Sequence, residues 1–159
     1  MADLHPVAGA KFYIGGVKDT KSSDFSASDF TSETWTEVDG WETAGQVGDT
    51  SALINVQLIN RKRDQKLKGT RNAGSMENNF AIIVGDAGQA KLIEAADEID
   101  NYAFRIVYDD APSGGSPTTE YFVGLVMSAP RQNGGANTVR MLSATVEINS
   151  NVVTVGAAA

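Results

Sequence analysis

Apolar and polar residues along this chain alternate mainly at period two, and one segment changes to the period of a helix. Leu142, Ala144, Val146 and Ile148 alternate with Met141, Ser143, Thr145 and Glu147, which predicts a long strand over 138–149 with the first set inward. From Thr119 to Met127, Tyr121, Val123, Leu125 and Met127 share one face, and Phe122, Gly124 and Val126 share the other. Tyr102–Tyr108 alternates too, and Met76–Val84, Lys11–Ile14 and Thr34–Val38 read as further strands. Ala52, Ile54, Val56 and Leu58 alternate with Leu53, Asn55, Gln57 and Ile59, so this strand has a second face of mixed polarity. Gly15-Gly16, Asp39-Gly40, 72–75, 109–117 and 130–137 carry turn chemistry. Residues 18–33 read as a polar loop and Trp41–Asp49 as an irregular one.

The single helix is expected over about residues 86–100. Asp86 supplies an N-cap and Gln89 the reciprocal partner of a capping box. Leu92, Ala96 and Ile99 fall on one face, with Ile93 beside them. The pattern therefore predicts a mainly β protein, a β-sandwich or barrel-like domain with one flanking α-helix. One domain over 1–159 is expected, with flexible ends at 1–8 and 153–159. Two strands are apolar on both faces, and no proline or charged cluster guards the middle of 50–59 or 119–127. Such edges need protection, and assembly into a closed ring would provide it.

Charge changes the picture more than composition does. Arg61, Lys62, Arg63, Lys66, Lys68 and Arg71 are six of thirteen basic residues, and only Asp64 opposes them within 61–71. That segment carries +5 while the rest of the chain carries −12, for a total of −7. A mostly acidic surface repels duplex DNA, so the basic arm is better matched to an acidic face of another copy. The other reading of 61–71 is a solvated loop without a partner.

Catalytic chemistry finds no constellation here. His5 is the one histidine and lies near the N-terminus, and cysteine is absent, which leaves no zinc set, disulfide or thiolate. Asp19, Asp24, Asp29 and Glu33 lack the alternate-position spacing of a calcium loop, and no phosphate-cradling glycine motif is present. No catalytic, metal or cofactor residue is nominated, and the expectation is that the chain is not an enzyme. No apolar run is long enough to span a membrane and no secretory signal is evident, so no membrane insertion is expected. Trp35 reads as core. Trp41 has two open readings, a core residue and an interface anchor.

Several short motifs occur in a recognisable order. They are Gly69-Thr70-Arg71-Asn72-Ala73-Gly74-Ser75-Met76, then Asp86-Ala87-Gly88-Gln89-Ala90, then Tyr102-Ala103-Phe104-Arg105-Ile106, then Tyr121-Phe122-Val123-Gly124-Leu125-Val126 and the 139–148 strand. In that order they resemble the tail tube proteins of long-tailed, non-contractile (lambda-like) bacteriophages. The resemblance implies a virion structural protein, made and assembled in the host bacterial cytoplasm. It implies hexameric rings stacked into a hollow tube, with strands contributing to an inter-subunit β-barrel. Implied partners are other copies of the chain, the tape measure protein, the tail terminator and distal tail proteins, with genomic DNA passing through without specific binding. A monomeric β-sandwich ligand-binding or adhesion module is the alternative.

On this reading Trp41, Arg61, Lys62, Arg63, Lys66, Lys68 and Arg71 are candidate inter-subunit contacts. A channel that lets DNA slide needs small polar or acidic groups and few cations. Asn55, Gln57, Glu77, Asn79, Ser143, Thr145 and Glu147 are the nominated lining; the competing reading places these faces on the outside of the tube.

Overall fold

The alternation at the C-terminal end is realised as expected. Strand β10 (Met141–Ile148) buries Leu142, Ala144, Val146 and Ile148 and leaves the residues between them half-exposed. The computed structural model describes residues 3–159. Before β10 come β1 (Lys11–Val17), β2 (Thr36–Val38), β3 (Trp41–Thr43), β4 (Thr50–Val56), β5 (Gln65–Asn72), β6 (Ser75–Ala81), β7 (Tyr102–Val107), β8 (Thr119–Ser128) and β9 (Arg131–Gln132). Helix α1 (Ala87–Asp97) joins β6 to β7, and β11 (Val153–Val155) follows β10. The main sheet is antiparallel in the order β2-β1-β7-β8-β10-β6-β3, with β9 on β10 and β11 on β8.

This sheet curls back on itself. Phe12 on β1 lies 5.4 Å from Trp41 on β3 and 5.7 Å from Phe80 on β6. Five strand spacings separate β1 from β3, and a flat sheet would hold them about 24 Å apart. The concave side is filled by Phe12, Phe80, Phe104, Phe122, Leu142 and Val146, and Leu92 and Ala95 of α1 close it.

Gln89 locks the curl. Its Nε2 donates to the carbonyls of Asp39 and Ala81, both at 2.8 Å, and its Oε1 accepts from the Ile83 N–H at 3.1 Å. Asp39 directly follows β2 and Ala81 ends β6, so one buried side chain ties together two distant parts of the sheet. Asp86 caps the helix as expected, accepting from the Gln89 N–H at 2.9 Å. The capping box does not form, because Gln89 is spent on the tie. Gly88 sits where a Cβ would strike the Glu37 carbonyl. That contact explains a glycine in the first helical turn despite its cost of about 1 kcal/mol.

The convex side is divided. Over β1, β7 and β8 the segment 18–35 folds down as a flap, with Phe25 and Phe30 buried against Ala103 and Val123 and Phe30 stacked on Tyr121 at 5.1 Å. Asn151 holds the Phe25 backbone from both sides, accepting from its N–H at 2.7 Å and donating to its carbonyl at 3.0 Å. Asp29 is held at a pKa of about 2 by the Ser26 N–H and by Lys21. A depressed carboxylate stabilises the folded flap above the ordinary carboxylate range, and that contribution is lost as pH falls through about 2. Over β10 and β6 the convex side stays bare.

Several expectations are corrected. Gly15-Gly16 lies inside β1 at an irregularity of the β1–β7 ladder rather than ending the strand. Trp41–Asp49 is not wholly irregular, since it begins with β3. The loop at 18–33 is not simply polar, because it carries buried Phe25 and Phe30. Trp35 is half-buried in the flap cluster rather than in the main core. The helix ends at Asp97 and buries Gly88, Gln89, Leu92 and Ala95, which leaves Ile99 exposed beyond it. Strand β8 is no free edge: β7 lies on one side, β10 and β11 on the other. Val153–Val155 form β11 on β8, and Ser116 is bridged to Ala158.

Replacing Gln89 by Ala should strand the Ile83 N–H and two carbonyls and destabilise the fold by about 2–4 kcal/mol, read from urea unfolding. The exposed Ile99→Ala control should cost less than about 0.5 kcal/mol. Equal midpoints for the two variants would remove the tie from its assigned role.

Candidate assembly surfaces

The chain from Thr50 to Asn72 is a two-stranded antiparallel arm, β4 with β5, that pairs with no strand of the main sheet. Every residue from Ala52 to Lys68 is exposed. The +5 segment, read as a possible solvated loop, is therefore mostly strand: Arg61–Arg63 form the tip, while Lys66, Lys68 and Arg71 lie on β5. Opposed residues of an antiparallel pair share a face. Ile54 faces Leu67 and Val56 faces Gln65, which gives one apolar face. Leu53 faces Lys68, Asn55 faces Lys66 and Ser51 faces Arg71, which gives a basic one.

A bulge between Ser51 and Leu53 makes this sorting possible. Two steps along β4 are matched by three along β5, from Arg71 to Lys68. Without the extra residue, Arg71 would alternate to the side opposite Lys66 and Lys68. The ion pairs among the described residues are Lys18–Glu33 and Lys21–Asp29, so the six arm cations are unpaired in the subunit. Arg71 shares a cleft with Asp24 and Asp49 at the arm's root. Leu53 is 68% exposed and Leu67 61%. An isolated two-stranded ribbon with apolar side chains in water is marginal by itself.

The nominated lining residues separate into two groups. Thr145 opposes Glu77, Ser143 opposes Asn79 and Glu147 opposes Ser75, so five of the seven form one polar strip on the bare convex face of β6–β10. Ser143 donates to Asn79 at 2.5 Å and Ser75 donates to Glu147. Asn55 and Gln57 lie on the arm instead, and Asn55 donates to Asp64 at 3.2 Å. Trp41 packs its ring on Phe12 and donates from Nε1 to Asn78 Oδ1 at 3.2 Å. That packing accounts for the tryptophan without a partner molecule. His5 is exposed, and no group of three or more His, Asp or Glu side chains among the described residues is placed to hold a metal ion. Among the described residues no helix is long and apolar enough to cross a membrane.

The fold recurs in solved structures. The SPP1 tail tube, determined by solid-state NMR and cryo-EM, superposes with a TM-score of 0.66 over 95% of this chain and 80% of its own, at 16% identity. The chain has the tail-tube fold. The sheath/tube terminator of the PVC extracellular contractile injection system has it too, with a TM-score of 0.69, 10% identity, and coverage of 98% of this chain and 99% of its own. So does the tube-terminating cap of the anti-feeding prophage, at 0.65 and 14% identity, covering 99% and 95%. No protein-family model and no curated protein matches the sequence. At such identities the likeness is one of fold.

Sequence reasoning found the arm's charge but missed its sorting into two faces, because only the register reveals the bulge. In the free subunit, amides of β4 and β5 should exchange roughly a hundredfold or more faster than those of β8 and β10. Comparable protection of the arm and the central strands would show that the subunit itself holds the arm.

Proposed function

We propose that this protein is a structural subunit of a phage tail tube, assembling into hexameric rings that stack around a channel for the genome. The observation that carries the reading is the arm. On a tail-tube fold it presents an apolar face, a basic face and two unpaired strand edges, none of which the subunit satisfies. The remaining −12 of the chain offers carboxylates for the arm to meet on neighbouring copies. In this reading Arg61, Lys62, Arg63, Lys66, Lys68 and Arg71 are contacts between subunits.

The polar strip of β6–β10 supplies the channel wall. Glu77, Asn79, Ser143, Thr145 and Glu147 put acidic and small polar groups on one continuous face without a Lys or Arg among them. Each cation would add counterion-driven, salt-dependent grip on the phosphates and slow the passage of DNA. A tape measure protein, a tail terminator and distal tail proteins belong to the same proposal, as do location in the virion and assembly in the host cytoplasm. So does the non-contractile tail type. No feature favours the monomeric binding-module alternative, and the same experiments test it.

Electron microscopy of concentrated protein should show hollow filaments of constant width. A protein that stays monomeric at every concentration would be the binding module instead. Changing Arg61, Lys62 and Arg63 to Glu takes the segment from +5 to −1. It should raise the critical concentration for assembly tenfold or more, about 1.4 kcal/mol. Unchanged assembly at low and high salt would exclude the arm's charge from the contact.

Because cysteine is absent, Glu147→Cys gives a unique thiol. A bulky maleimide should label it in the free subunit and fail to reach it in intact tubes. Equal labelling in both states would put the polar strip on the outside.

A further inference from the structure

The hairpin that joins β9 to β10 holds the chain's single Asn-Gly pair, Asn133-Gly134. Gln132 lies opposite Met141 and Arg131 opposite Leu142, so Asn133 is the first residue beyond the paired part of β9. Every residue from Arg131 to Arg140 is exposed. The backbone bond across the turn runs from the Thr138 N–H to the Gly135 carbonyl at 3.1 Å, and among the described residues the Gly134 N–H donates to no protein group. Segment 131–140 contains Arg131 and Arg140 and no Asp or Glu, so it carries +2.

Arg140 turns its Nε onto Asn133 Oδ1 at 3.1 Å. Among the described residues no carboxylate pairs with Arg140. A charged donor on an amide oxygen draws electron density from the amide carbon and stabilises the oxyanion that forms when a nucleophile adds there. The same positive charge favours loss of a proton from the neighbouring Gly134 nitrogen. Gly134 has no Cβ to obstruct the approach of that nitrogen to the Asn133 side chain. Every other asparagine is followed by a residue that carries a side chain. Asn137, in the same loop, precedes β-branched Thr138, and the Asn72 amide oxygen is held by the Gly74 N–H at 2.8 Å.

We propose that Asn133 is a site of spontaneous deamidation promoted by Arg140. Solvent base takes the Gly134 amide proton, and the nitrogen bonds to Cγ of Asn133. The Cγ–Nδ2 bond then breaks, and ammonia leaves with a proton from water. Water opens the cyclic imide that results. Opening at Cγ gives aspartate, and opening at the backbone carbonyl gives isoaspartate, with the chain routed through Cγ. The net change is amide plus water to carboxylate plus ammonia, with no oxidation or reduction. The new negative charge takes the hairpin from +2 to +1 and lies beside Arg140, which gains an ion-pair partner. The isoaspartate form also adds a methylene to the backbone directly after the two residues that pair β9 with β10. None of this depends on the tube reading.

Full-length protein held in warm, mildly alkaline buffer tests the site. Cleavage by a glutamyl endopeptidase after Glu120 and Glu147 releases a peptide whose asparagines are Asn133 and Asn137. That peptide should gain the mass of OH in place of NH2 before any other, with fragmentation placing the change at residue 133. Isoaspartate methyltransferase should methylate the product. Asn133→Gln keeps an acceptor for Arg140 but must close a larger ring, and it should abolish the change at 133. Arg140→Ala should slow the reaction by roughly three- to tenfold, less than a buried oxyanion donor is worth because water and salt screen an exposed one. High salt should slow the wild type and leave Arg140→Ala unaffected, which a mere change of loop shape would not produce. Equal modification of Asn133 and Asn137, or earlier modification of another asparagine, would overturn the site. Equal rates for wild type and Arg140→Ala would overturn the part assigned to Arg140.

Discussion

Much of this structure depends on the three hydrogen bonds of the Gln89 side chain. A curled sheet of this width brings two ends near one another, and backbone groups at those ends are left without strand partners. Gln89 satisfies the carbonyls of Asp39 and Ala81 and the N–H of Ile83 from within the first turn of α1. A buried polar group is tolerated when it is fully bonded, and this one has both of its ends engaged. Through it the helix start, the exit of β6 and the turn after β2 act as one unit. The aromatic packing of Phe12 against Trp41 and Phe80 depends on that closure.

Once the concave side is closed, the convex side is divided between a covered half and a bare one. The flap takes one half, covering β1, β7 and β8 with Phe25 and Phe30 and enclosing Arg105, whose guanidinium lies 4.0 Å from the Tyr13 ring. The other half, β10 and β6, receives no cover. Its side chains are polar where the arm is rooted and apolar where the helix begins. A surface divided in this way has a direction.

Edge protection follows the same division. The central strands are saturated: β8 has partners along both sides, including β11 where β10 does not reach. The ends of the main sheet, β2 and β3, are three residues each, too short to template pairing. The long unpaired edges are those of β4 and β5. The unpaired edges therefore sit in the arm, where apolar exposure and unpaired charge also collect.

Local pattern determined a good deal of this protein. The inward set of β10, the N-cap at Asp86, the turns at 72–75 and 109–117, and the clustering of six cations in 61–71 are all consequences of nearest-neighbour chemistry. They are legible because a strand's period or a cap's hydrogen bond involves residues a few positions apart. The order of motifs also pointed to the tail-tube fold. Tertiary structure decided the rest, since each remaining feature joins residues distant in sequence. Gln89 left its expected capping partner because carbonyls at 39 and 81 came within reach, and Ile99 lost its expected burial because the core lay under Leu92 and Ala95. The strand at 119–127 gained neighbours on both sides from segments near the C-terminus. Arg71 joined the basic face only through a bulge that one strand's sequence cannot show, because register is a property of two strands.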